Sequence, residues 1–349
     1  MTAPPFWFKL LPIMAATIRQ IAQMVGVSPA AVSFVLNNKP GIGQETRDRV
    51  LAAVTALGYK PKSPVKSTTK TLRFLRIAKN GHIINPSHKV FIADYIDGIE
   101  QEAQRCGYAM EISSFDSFDP VEVLNSLSQG NLAGAIVLGT ELDEQDLVQL
   151  TTANLPLVFI DTYHPTLAFD FVDMDNDSSV YAIVKYLVEN GHKRIGLVTS
   201  VIETRNFAER GRSFSECLNH LGLVFDSHDL FMIDSTYDKG CEDMKALLAD
   251  RNDLPSALFC VNDIIAYGCL MALKARGYSV PRDISLVGFD NLPSDEYMSP
   301  PLSSVTVSKH RIGQCAMELL AKRIDNPTRP PEKVLIGGSL VVRESVQKL

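Results

Sequence analysis

The sequence predicts a small all-α headpiece of helix-turn-helix type, followed by a larger body of parallel α/β structure. Three observations lead there. Near the N-terminus two short amphipathic helical patterns flank a tight turn, and a third follows. From residue 72 onward, short apolar runs alternate with helical patterns. The charge is also divided. Residues 14–70 hold eight Lys or Arg against two acids, a net of +6, while residues 71–349 carry −13 in a chain of formal net charge −6. A basic head on an acidic body suits a phosphate-binding module joined to a domain that stays off nucleic acid.

Residues 1–13 contain the chain's one tryptophan, Trp7. They have no basic start, Pro12 breaks their apolar run, and no small-residue cleavage site follows, so they are not a signal peptide. Met14 lies three residues before the first helix cap. It is expected to be the biological start, with residues 1–13 mis-assigned or disordered.

The headpiece is expected over 14–60. Thr17 and Gln20 form a T-x-x-Q capping box. Ile18, Ile21, Ala22 and Val25 recur at i, i+3, i+4, i+7 and share one face. Gly26 suits the left-handed residue that ends the helix. Ser28 caps the second helix, with Pro29 at its first position, where a missing N–H costs nothing. Ala31, Val32, Val35 and Leu36 face inward, which leaves Ala30, Ser33, Phe34 and Asn37 on or near the outer side. The third helix, ending at Gly58, has Val50, Val54 and Leu57 as its buried stripe.

This region resembles the DNA-binding headpiece of the lactose-repressor (LacI) family of bacterial transcription regulators. The resemblance rests on Val27-Ser28-Pro29-Ala30-Ala31-Val32-Ser33, Leu36-Asn37-Asn38, Thr46-Arg47-Asp48-Arg49-Val50 and Leu57-Gly58-Tyr59-Lys60-Pro61. It implies that the second helix enters the major groove of double-stranded DNA. Pro29, Ala30 and Phe34 match the family's base-reading positions, Ser33, Asn37 and Lys62 are expected near phosphates, and Thr17 and Ser28 are further expected DNA-binding residues. Phe34 stands where the family often has an arginine. A phenyl ring cannot make the bidentate contact to guanine, but it can pack on a thymine methyl.

Residues 61–71 are read as the linker. In the family this segment commonly forms a hinge helix on operator binding, and a leucine wedges into the minor groove. Here the matching position is Thr68, and Pro64 interrupts the would-be helix. Ser, Thr and Lys supply no apolar wedge, so Lys62, Lys66 and Lys70 are expected to grip phosphates instead.

In the body, strands are expected at 72–78, 109–115, 133–139, 157–161, 194–199, 257–261 and 284–289, with helices at 91–107, 177–190 and 264–275. Three blocks resemble the effector domain of the same family: Asp175-Asn176 with Gly191-His192-Lys193-Arg194-Ile195-Gly196; Glu209-Arg210 with Phe214; and Val261-Asn262-Asp263 with Pro281 to Asp290. The resemblance implies a two-lobed, periplasmic-binding-protein-like α/β domain over 72–349. Lobe 1 is expected at about 72–173 and 303–330, lobe 2 at about 174–302 and 331–349. Arg210, Asn262 and Asp290 match positions lining the family's effector cleft, and Asp161, ending a strand, is a further candidate. A guanidinium, carboxylates and an amide at strand ends bind vicinal hydroxyls well, so the expected effector is a sugar or sugar derivative. Asn262 is equally readable as a plain helix cap. Lys79, Asn80 and His82 follow the first strand, where a binding loop belongs.

Nothing in the sequence points to catalysis. Gly191-His192-Lys193-Arg194 lacks phosphate-loop spacing, and His192 is expected to sit favourably at a helix C-terminus. Six scattered cysteines have no metal spacing and read as reduced thiols of a cytoplasmic protein. No cofactor or metal is expected, and no apolar run reaches the length of a membrane span. The expected function is therefore a transcriptional regulator, by family habit a repressor. It would act as a homodimer on a pseudo-palindromic operator, because one helix-turn-helix reads a half-site. A sugar-binding protein of periplasmic-binding-protein fold that does not touch DNA is the alternative. An α/β enzyme such as a sugar kinase would need the missing phosphate loop.

Overall fold

A computed structural model describes residues 17–36, 42–57, 59, 70–83, 89–251 and 253–349. Contacts divide the chain into a headpiece unit and a body beginning at Thr69.

The headpiece holds α1 (Ile18–Val25), α2 (Pro29–Leu36) and α3 (Gln44–Ala56). The local chemistry is the expected one. Gln20 N donates to Thr17 Oγ1 at 3.4 Å, and Thr17 N donates to Gln20 Oε1 at 2.8 Å. Gly26 has φ +75°, and Ala31 N donates to Ser28 Oγ at 3.1 Å. Ile21, Ala22, Val25, Val32, Val35, Val50 and Ala53 form the core. The third-helix stripe needs one correction. Leu57 is 37% exposed and Ala53 is buried in its stead, because Leu57 is already the C-cap, beyond the last turn that packs. Arg49 Nη2 donates to Val25 O at 2.7 Å, so α3 supplies a partner for a carbonyl that the end of α1 leaves open.

The body has two parallel sheets. The first contains β1 (Thr71–Ile77), β2 (Ala109–Phe115), β3 (Leu132–Leu138), β4 (Leu157–Ile160), β5 (Asp170–Met174) and β11 (Lys333–Ile336), in the order β11-β5-β4-β3-β1-β2. The second contains β6 (Ile195–Ser200), β7 (Leu230–Ile233), β8 (Ala257–Cys260) and β9 (Ser285–Val287), in the order β7-β6-β8-β9. The near-continuous apolar strands β3, β4 and β8 are buried on both faces, as parallel sheets require. Helices α4 (Lys89–Arg105), α5 (Pro120–Ser128), α6 (Glu144–Gln149) and α11 (Lys309–Asp325) accompany the first sheet. Helices α7 (Asn176–Glu189), α8 (Arg205–His220), α9 (Tyr237–Ala249) and α10 (Asp263–Ala275) accompany the second.

The chain passes between lobes three times: from β5 into α7, from β10 (Ser304–Thr306) into α11, and from β11 into β12 (Ser339–Val341), which pairs antiparallel with β10. Two expected lobe boundaries are corrected. Residues 331–349 were expected in lobe 2, yet β11 pairs with β5 in the first sheet, Val334 opposite Val172. Residues 303–330 were expected in lobe 1, yet Ser303 bridges Val287 and Thr306 bridges Asp290, which sets β10 beside the second sheet. Strands this short carry no periodicity by which to assign them. The expected role of His192 also changes. It is fully buried, with Nδ1 2.9 Å from Ser256 Oγ and Nε2 3.2 Å from Gln347 O. Burial lowers its pKa, so it is a neutral core histidine rather than a charge against a helix dipole.

Candidate functional site

The candidate DNA-reading surface is α2. Thr17 and Ser28 are exposed, and both hydroxyls serve as caps. Pro29 is exposed, and Phe34 shows 42% of its surface despite its size. Ala30 and Ser33 lie on α2, but their side chains fall outside the description, and Asn37 and Lys62 lie outside the described residues.

The candidate effector site lies between the lobes. Asp161, Arg210, Asn262 and Asp290 line a single cavity of about 420 Å³. They arrive from different elements. Asp161 follows β4, Asn262 follows β8, Asp290 follows β9, and Arg210 projects from α8. Ligands of open α/β sheets bind at such carboxyl ends of strands.

Arg210 is 3% exposed and held on several sides. Its Nε donates to Asn176 Oδ1 at 3.0 Å, its Nη1 donates to Val261 O at 2.6 Å, and its guanidinium lies 3.7 Å from the centroid of the Phe289 ring. This fixes the planar fork before any ligand arrives. Asp290 Oδ1 is 3.9 Å from Arg210 Nη1, yet it has no hydrogen-bond partner and is inaccessible to solvent. Burial pushes this carboxyl up to about 7, against the pull of Arg210 and Lys309. Asp161 is better satisfied. Tyr95 Oη donates to its Oδ1 at 3.0 Å, Asn206 Nδ2 donates to the same oxygen at 3.2 Å, and the Thr140 hydroxyl donates to Oδ2. Burial still raises its pKa, and raises that of Asp173 further, with the Asp161 charge adding to the effect. Asn262 does cap α10, its Oδ1 accepting from Ile265 N at 2.8 Å. Its amide donors are what remain for a ligand.

Asp161 and Asp290 have φ +57° and +114°, and Asn291 has +48°. Non-glycine residues in this region carry strain that the surroundings must hold, and such strain gathers at ligand sites.

Both lobes add residues that the sequence marked weakly or not at all. His82, one of three loop candidates, is buried in the cavity wall with Nδ1 3.1 Å from Ser235 Oγ of the second lobe. Burial and Arg210 lower its pKa to about 4, so it enters the cleft neutral. Phe91, Thr140, Thr204, Asn206 and Phe207 also line the cavity. Thr204 is the one with a readable signal, as the cap of α8. Lys79 instead bonds Asp143 and Asp146 at 2.7 and 2.6 Å.

Comparison with known proteins agrees with this geometry. The family model described as bacterial regulatory proteins, lacI family, matches residues 17–62, and that of a periplasmic binding protein-like domain matches 184–346. The HTH-type transcriptional repressor PurR of Mannheimia succiniciproducens is 32% identical over 343 residues, 96% of this chain and 99% of the relative. The chain belongs to the LacI family. PurR of Histophilus somni is 30% identical over 342 residues, 96% of this chain and 100% of that protein. Among solved structures, the regulator CelR in complex with cellobiose aligns at a TM-score of 0.71 and 26% identity, covering 95% of this chain and 99% of CelR. The lac repressor dimer bound to operator and an anti-inducer aligns at 0.71 and 20% identity, with 95% and 99% coverage, a likeness of fold alone.

This LacI-family protein is a DNA-binding transcriptional repressor with a small-molecule effector domain, and not an enzyme. Among the described residues no helix is long and apolar enough to cross a membrane.

Proposed function

We propose that this repressor binds a pseudo-palindromic operator as a homodimer in the cytoplasm and senses a sugar or sugar derivative in the cleft between its lobes. The observation that carries the effector reading is the buried, unpartnered Asp290 Oδ1 beside the fixed Arg210 guanidinium. A vicinal diol donates to one and accepts from the other. Asn262, Thr140 and Asp161 offer further polar contacts, and Phe91 and Phe207 offer apolar wall. A flat heterocycle such as a purine is a second reading, favoured by the PurR relatives and by the edge-on pair of His82 and Phe207, whose ring centres are 5.3 Å apart.

On DNA, α2 enters the major groove. Pro29, Ala30 and Phe34 face bases, while Thr17, Ser28, Ser33, Asn37 and Lys62 contact or approach phosphates. Effector binding changes the angle between lobes and thereby operator affinity, and operator binding must change effector affinity by the same factor.

Selection of random-sequence duplex by the purified protein tests this, repeated across salt with sugars, sugar phosphates and purine bases. An inverted repeat whose recovery falls steeply with salt and shifts with one sugar is the expected result. A motif without two-fold symmetry overturns the dimer, and a shift caused by a purine base alone overturns the sugar.

A further inference from the structure

Lys309 stands at the first position of α11 and is 7% exposed. Both facts count against a lysine. The N-terminus of a helix is its positive end, which repels a cation, and a buried ammonium is rare unless it is paired. No acid in the first turn of α11 offsets the charge. The residue therefore answers to what its side chain touches. The helix packs on the first sheet, yet Lys309 Nζ reaches the second lobe and donates to Asp290 O at 2.9 Å. The centroid of the Phe91 ring, on α4, lies 4.8 Å from the same ammonium, a cation–π contact. Asp290 and Phe91 line the effector cavity from opposite lobes, and Lys309 joins the two.

The turn that Lys309 holds is a strained one, with positive φ at Asp290 and Asn291, and such a turn persists only where its surroundings hold it. Here the bonds come from chain segments that pass between the lobes. Asp290 N donates to Val305 O at 2.9 Å, Asn291 N donates to Ser304 Oγ at 3.0 Å, and Asn291 Nδ2 donates to Thr306 Oγ1 at 3.0 Å. Arg343 Nη2 donates to Asn291 Oδ1 at 2.8 Å. Lys309 adds a bond at the Asp290 carbonyl and brings a full charge with it. Arg210 of α8 and Lys309 of α11 favour the ionised Asp290 carboxyl, while Asp161 after β4 and Asp295 in the turn after β9 oppose it. Asp263 of α10 and the neutral Tyr95 of α4 also face it.

We propose that Lys309 is a positioning residue of the effector response. From α11 it holds the Asp290 turn in the conformation that presents the carboxyl to the cavity, and its charge favours the ionised form that accepts from a ligand. This rests on the reading of Asp290 as an effector contact.

The test is calorimetric titration of the full chain across neutral to alkaline pH with a panel of pentoses, hexoses and purine bases. It compares the wild type with Lys309→Gln, Lys309→Met, Lys309→Arg and Asp290→Asn, and follows the thermal unfolding of each. Glutamine keeps a donor for the Asp290 carbonyl but loses the charge, methionine loses both, and arginine keeps both. In the wild type, affinity for the bound member of the panel should rise through about pH 7, where Asp290 ionises. Without the Lys309 charge that rise should move up by about one pH unit, so that Lys309→Gln binds about fivefold more weakly at neutral pH. At alkaline pH Lys309→Gln should regain wild-type affinity and Lys309→Met should stay weaker. Lys309→Arg should follow the wild type throughout. A lysine that only props up the fold would lower the melting temperature and leave the pH profile where it was. A rise at the wild-type pH in whichever of Lys309→Gln and Lys309→Met folds overturns the positioning role, and Asp290 stands as a contact if Asp290→Asn loses affinity. Wild-type affinity and pH profile in Asp290→Asn, or no binding by any member of the panel, overturns the reading of Asp290 as well.

Discussion

Asp290 offers the sharpest test of the cleft, because the group proposed to recognise the effector also burdens the fold. Its carboxyl titrates at about 7 when folded, against an ordinary 3.8. Below pH 3.8 the group is protonated in folded and unfolded chains alike and contributes nothing. As pH rises the unfolded chain ionises first, so stability falls progressively until the folded carboxyl ionises as well. Above pH 7 the full penalty stands, about 4 kcal/mol from this difference in pKa. Asp290→Asn keeps the shape and removes the charge. At pH 8 the variant should be more stable by about 4 kcal/mol, and at pH 5 by less than about 2 kcal/mol. Urea unfolding at both pH values, followed by far-UV circular dichroism, measures the difference. Calorimetry on the same samples should show effector affinity reduced about 10- to 100-fold, the range for a hydrogen bond to a charged group. A variant no more stable than wild type at pH 8 would refute the reasoning. It would mean that Arg210 and Lys309 compensate the ionised carboxylate fully, so that Asp290 awaits no ligand.

Other outcomes follow from the same structure. Phe34→Arg should move operator preference at one symmetric pair of positions from thymine towards guanine, with discrimination of about 1–3 kcal/mol; an unchanged motif on selection and sequencing would remove Phe34 from the base-reading set. Thr17→Ala breaks the capping box of α1 and should cost the headpiece about 1 kcal/mol, visible as weaker DNA binding with the thermal unfolding of the body unchanged. Gly98→Ala would set a methyl 2.1 Å from His310 O, where α4 and α11 approach closely. Such overpacking costs about 1–3 kcal/mol and should lower the melting temperature of the body while sparing the headpiece.

Legibility in the sequence tracked how local each feature is. The headpiece was readable almost letter by letter, because Thr17, Gln20, Gly26 and Ser28 act on backbone groups within four residues of themselves. Long strands and helices with strong apolar runs were placed to within about two residues. What escaped depends on distant partners. β5 reads Asp170-Phe171-Val172-Asp173-Met174, and two acids hide a strand that is wholly buried. Its Asp170 is held by Arg323, 153 residues away, at 2.9 Å. β11 joins the first sheet through a partner more than 160 residues earlier. In the cleft, Arg210, Asn262 and Asp290 are marked by resemblance to a family, and Asp161 by its place at the end of a strand. His82, Asn206 and Phe207 were harder, since loop shape and the facing of two lobes decide what they touch, and neither is written in a local pattern.

The route of the chain between the lobes also bears on how it can be made. The first sheet is not complete until β11, residues 333–336, has been synthesised, and α11 must arrive before it. Among the described residues, the headpiece core uses none beyond Tyr59. Domains fold as they emerge, N-terminal first, so the DNA reader forms early and the sensor forms last. A chain cut short between these points carries the residues of the headpiece core without the completed first sheet. The fold therefore leaves the sensor incomplete until the chain has passed β11, whose partner β5 lies more than 160 residues earlier.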